Sequence, residues 1–74
     1  MSNDETLGDD LLQGADQIAQ FLFGDPKKRR RVYHLAERSG LPVFRMGGAT
    51  LFARKSTLRG FIAEQERQAI NGTL

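Results

Sequence analysis

Seventy-four residues, 39% of them hydrophobic, form one small domain near the size at which a single apolar core is only marginally stable. The absence of cysteine excludes disulfide staples and thiolate metal sites, and a single histidine leaves no zinc or haem constellation, so neither a metal nor a cofactor is expected. The net charge of +2 conceals a segregation: residues 1–25 hold six Asp or Glu and no Lys or Arg, whereas residues 26–59 hold ten Lys or Arg against Glu37 alone.

Along the chain, residues 1–10 are acidic and poor in large apolar side chains, the composition of a disordered tail. A folded domain is expected over residues 11–70. Leu11 and Leu12 lead into a first helix over residues 14–23, where Ala15, Ile18, Ala19 and Leu22 form one face that Phe21 broadens. Gly14 is a weak N-cap, Asp16 complements the dipole in the first turn, and Gly24 marks the end.

A second helix is predicted over residues 26–38. Asp25 suits the N-cap, and Pro26 suits the first helical position because its missing N–H has no partner there. Val32, Leu35 and Ala36 recur at i, i+3, i+4 and face a core, while Gly40 before Leu41-Pro42 stops the helix. Two runs of β-formers follow, Val43-Phe44-Arg45-Met46 and Ala49-Thr50-Leu51-Phe52-Ala53. Between them Gly47-Gly48 predicts a hairpin closed by a primed two-residue turn. Ser56 is the expected N-cap of a third helix over residues 57–69, with Leu58, Phe61, Ile62 and Ala69 inward. Gly60 weakens that helix by roughly 1 kcal/mol relative to Ala, a cost that a close approach to the hairpin or first helix would explain. Residues 71–74 are expected to fray. Phe44, Leu51, Phe52, Phe61 and Ile62 fall at positions that need burial, and are read as core rather than a base-stacking platform.

The second helix carries the chemistry. At 100° per residue, Lys27, Arg30, Arg31, His34 and Arg38 lie on or beside the face opposite the core stripe. Exposed cations at this density repel one another, and the arrangement makes sense when a polyanion neutralises them. A DNA recognition helix follows, with Arg30, Arg31 and His34 nearest base edges, Lys27 and Lys28 near phosphates, and Arg38 and Tyr33 reaching the backbone from the flanks. Around the hairpin, Arg45, Arg54 and Lys55 are candidate phosphate clamps, and Gly48 and Thr50 stand at its tip. Plainer readings compete: a solvated charged face, a short basic nuclear localisation signal from Pro26 to Val32, strand-end solubility for the hairpin cations, a surface histidine at 34, and a Tyr33 ring packed on the hairpin. No nucleophile, base and orienting group come together in the sequence, and Gly47-Gly48 lacks the strand-loop-helix context of a phosphate-binding loop, so no catalytic residues are expected.

Arg31-Val32-Tyr33-His34-Leu35, then residues 39–48 (Ser-Gly-Leu-Pro-Val-Phe-Arg-Met-Gly-Gly), then Arg54-Lys55-Ser56-Thr57-Leu58 resemble the small winged helix-turn-helix domains of the excisionase type, within the MerR-like superfamily. The resemblance covers residues 11–65. It implies an α+β fold of three helices with a two-stranded β-hairpin wing between the second and third. It further implies a second helix in the major groove, a wing beside the minor groove, and several copies along DNA. Two departures stand out: the turn between the first two helices is about three residues longer than in the family, and the wing tip offers Gly48, Ala49 and Thr50 where a basic or large aromatic residue is usual.

The expected function is binding to double-stranded DNA as an excisionase-like recombination directionality factor. The expected partners are an integrase or recombinase and further copies bound cooperatively, because one small domain covers few base pairs. A transcriptional regulator, a subunit resembling the phage small terminase, and a protein-binding adaptor are the alternatives. No apolar run approaches the ~20 residues of a bilayer span, and the acidic N-terminus is unlike a secretory signal. The expectation is a soluble, cytoplasmic, nucleoid-associated protein without membrane contact.

Overall fold

The N-terminal leucines pair with the middle of the chain: Leu11↔Arg54, Leu12↔Ala53 and Gln13↔Phe52 align antiparallel. A computed structural model describes residues 7–72. The element order is α1 (Leu7–Asp10), β1 (Leu11–Gln13), α2 (Ala15–Phe23), a 3₁₀ turn (Pro26–Lys28), α3 (Arg29–Arg38), β2 (Phe44–Arg45), β3 (Leu51–Arg54) and α4 (Lys55–Gly72). The result is a small α+β fold in which helices pack on a three-stranded antiparallel sheet of order β1-β3-β2.

The core is one cluster. Leu12 from β1, Ala15, Ile18 and Ala19 from α2, Val32 from α3, Leu41, Leu51 and Ala53 from β3, and Leu58 from α4 are all buried together. Ile18, Val32 and Leu58 are fully enclosed, each contributing about 1.5–3 kcal/mol of apolar burial. The helical stripes read from spacing in α2 and α3 therefore face inward as expected. Leu51 and Ala53 alternate with Phe52 and Arg54 along β3, so the first pair faces the central core cluster and the second the opposite face of the sheet, where Phe52 is buried as expected and Arg54 is exposed.

Several expectations change. The segment expected to be a tail over residues 1–10 is partly folded: Leu7–Asp10 makes a helical turn, and Asp10 is buried. Residues 1–6 lie outside the described residues. Leu11–Gln13 is a strand rather than a lead-in: it pairs with β3, and the pairing buries Leu12 in the core. The hairpin turn is one residue longer than expected. Phe44↔Phe52 and Arg45↔Leu51 set the register, the Met46 N–H donates to the Thr50 carbonyl at 3.3 Å, and Gly47, Gly48 and Ala49 close the loop. Gly47 (φ 67°) and Gly48 (φ 114°) both occupy the positive-φ region that the turn requires.

Phe44, expected in the core, is 42% exposed on the outer side of edge strand β2, stacked on Phe52 with ring centroids 6.1 Å apart. The last helix starts at Lys55, without Ser56 as its cap, and runs to Gly72, so Asn71 and Gly72, expected to fray, are helical, while residues 73–74 lie outside the described residues. At 1.5 Å per residue its eighteen residues reach about 27 Å, longer than the core beneath it. Ala69, expected inward, is exposed for that reason, and Ile62, expected inward, is 45% exposed at the rim of a groove it shares with Phe21, Leu22 and Leu58. Gly60 makes no close approach: a methyl group there would meet open space.

Candidate functional site

The cationic surface is built on α3 and the turn that precedes it. Asp25, in extended conformation, accepts the Lys27 N–H on Oδ1 at 2.9 Å, and its carbonyl accepts the Lys28 N–H at 3.1 Å. Asp25 and Pro26 thus start the element as expected, but as one turn of 3₁₀ helix, with regular α-helix only from Arg29. The tighter turn swings Lys27 and Lys28 off the strict α-helical wheel. At the other end the Ser39 and Leu41 N–H groups both donate to the Leu35 carbonyl across Gly40.

Burial of Val32 fixes the rotation of α3 and leaves Arg29, Arg30, Arg31, Tyr33, His34, Glu37 and Arg38 exposed. Arg30, His34 and Glu37 point furthest from the core, with Arg31 and Arg38 on one flank and Arg29 and Tyr33 on the other. Two contacts define how α3 meets α2. Arg29 Nη1 lies 3.3 Å from Asp16 Oδ1 in the first turn of α2, and the Arg31 guanidinium lies 5.7 Å from the centre of the Phe23 ring in its last turn. In an antiparallel helical hairpin the start of α3 would meet only the end of α2, so the two helices cross.

Two concave surfaces flank the start of α3. Lys27, Arg29 and Arg30 line a cationic notch. Arg29 also lines a groove with Tyr33, Asp16 and Gln17 that extends to Ala49 and Thr50 at the hairpin end. The candidates Tyr33 and Thr50, from different elements, therefore meet in one groove. Arg45 Nη1 donates to the Ala49 carbonyl at 2.8 Å and braces the loop that holds Gly48. Arg54 and Lys55 sit elsewhere. Arg54 Nε donates to Asp10 Oδ2 at 3.0 Å, and half-buried Lys55 borders an apolar groove with Leu12 and Phe21.

Asp10 is the second centre of charge. Its Oδ1 accepts the Ser56 N–H at 2.9 Å, and its Oδ2 accepts the Ser56 hydroxyl at 2.7 Å. The Ser56 hydroxyl, with the Ser56 N–H and Arg54 adding to it, holds the Asp10 carboxyl below the ordinary carboxylate range despite the opposing effect of burial. This cap replaces the one expected from Ser56 itself. A residue 46 positions away supplies it, and nothing local in the sequence announces that.

Arg29 is absent from the candidates chosen by helical spacing because it lies three residues before Val32, close to the inward stripe. Only its reach across to Asp16 shows that it faces the groove. Among the described residues, no group of His, Cys, Asp or Glu is arranged to hold a metal, and no helix is long and apolar enough to cross a membrane. No family model, curated protein or solved structure matches the chain.

Proposed function

We propose that this chain binds double-stranded DNA, with the fold read as a winged helix-turn-helix in which α2 and α3 are the crossed pair and the β2–β3 hairpin is the wing. The observation that carries the reading is the exposed start of α3. Lys27, Lys28 and Arg30 stand in the open there, in no ion pair among the described residues, beside a concave notch of the right sign for a phosphate. The crossing of α2 and α3 supports it, since a recognition helix enters the major groove only if its partner does not lie along its whole length. In this reading Arg30 and His34 face the base edges, Lys27, Lys28 and Arg31 flank them, and Tyr33 and Thr50 border the backbone between helix and wing. Arg45 serves the wing by bracing its loop, and Arg38 reaches the backbone from the far end of α3.

The excisionase-like role is the particular function proposed: an architectural factor at repeated sites, working with an integrase or recombinase and with neighbouring copies of itself. The test is a binding titration of the purified protein against pooled genomic fragments and random duplex over a salt series, with the recovered fragments sequenced. Expected is salt-sensitive binding with a log–log slope of about −3.5 to −4.5, from four or five phosphate contacts, and enrichment of repeated sites near an integrase gene. Enrichment at promoters would move the role to transcription. No binding at low salt would remove the reading.

A further inference from the structure

Arg29 borders both concave surfaces at the start of α3, the notch with Lys27 and Arg30 and the groove with Tyr33 and Thr50. A phosphate passing from one to the other meets its guanidinium. In the free protein that guanidinium is already engaged by Asp16, at 3.3 Å, with both side chains about 60% exposed. An ion pair so open contributes little to folding. It sets a carboxylate oxygen, singly charged as a backbone phosphate is, on the one guanidinium that borders both surfaces.

We infer that Asp16 is a built-in phosphate competitor, holding Arg29 until a DNA phosphate is brought close enough to displace it. The inference rests on the DNA-binding reading and adds a selective element to it. In a loose complex with random duplex, the backbone stays at a distance and Arg29 remains on Asp16. In a complex drawn tight by base contacts from α3, the phosphate beside Tyr33 and Thr50 is pressed into the groove and takes Arg29 over. The exchange withholds one phosphate contact from DNA that offers only charge.

The experiment is a salt-series titration of random duplex with four proteins: the wild type, Asp16→Asn, Arg29→Ala, and the double variant. Asp16→Asn is expected to tighten binding by about 2- to 5-fold and to steepen the salt slope by about one, because Arg29 is released to a phosphate. In the Arg29→Ala background the same substitution is expected to change neither. An equal gain with and without Arg29 would mean that removal of one negative charge is all that matters, and would overturn the inference. So would no gain in either background. Absence of binding by all four proteins at low salt would instead remove the DNA reading, and this inference with it. Asp16→Ala, uncharged and of the highest helix propensity, repeats the test should Asp16→Asn fail to fold.

Discussion

Asp10 caps α4 from 46 positions earlier in the chain, its two carboxylate oxygens accepting from the N–H and the hydroxyl of Ser56 while Arg54 closes on Oδ2. One carboxylate thereby joins α1, β3 and α4, so the N-terminal strand and the last helix are held at a shared point.

The cap makes stability pH-dependent. The folded Asp10 carboxyl titrates below its ordinary 3.8, so its contribution is fully present above about pH 4 and is lost as the pH falls through the folded value. Urea unfolding between pH 2 and 6 is expected to show wild-type stability falling in acid, with a flatter profile for Asp10→Asn. Parallel profiles for the two proteins would contradict the role given to Asp10.

Gly60 occupies the interior of α4 with free space around it, so Gly60→Ala is expected to stabilise by about 1 kcal/mol through helix propensity alone. Thermal unfolding measures it, and a lower midpoint for the variant would mean that the glycine serves a contact the fold does not contain.

Leu58 and Ile70 lie on the same helix in opposite circumstances, one fully buried and the other 71% exposed. Leu58→Ala is expected to cost about 2–5 kcal/mol, enough to unfold a domain of this size, whereas Ile70→Ala stays within about 0.5 kcal/mol. Similar effects at both positions would contradict the projection of α4 beyond the core.

DNA titrations separate the cations by place. Lys28→Ala is expected to weaken all sequences alike and to make the salt slope shallower by about one, and Arg30→Ala to cost about 1–3 kcal/mol at the preferred site and relax its sequence preference. Arg54→Ala, whose guanidinium is committed to Asp10, is expected to leave the salt slope unchanged and to lower the unfolding midpoint instead. A slope change for Arg54→Ala equal to that for Lys28→Ala would place Arg54 at the interface.

Much of the architecture is legible in local patterns, for local reasons. The stripes Ala15, Ile18, Ala19 and Val32, Leu35, Ala36 follow from the helical period, and the cap at Asp25 and the stop at Gly40 from the backbone chemistry of those residues. The cationic character of α3 follows from the basic run together with the burial of Val32. These depend only on neighbours within about four positions.

What only the tertiary structure decided involves partners far apart in the chain. A three-residue strand at Leu11–Gln13 is too short for its period to announce itself, and is held by its pairing with β3 and the burial of Leu12. Asp10 reads as part of an acidic tail until Ser56 and Arg54 are brought to it, and Arg29 reads as an inward neighbour of Val32 until Asp16 stands opposite. Phe44 and Ile62 look like core residues by type, but one lies on an edge strand with only Phe52 against it and the other at the rim of the α2–α4 groove, so each is covered on one side only. A residue's chemistry is written at its own position, whereas the group that satisfies it, 13 or 46 residues away, is chosen by how the elements cross.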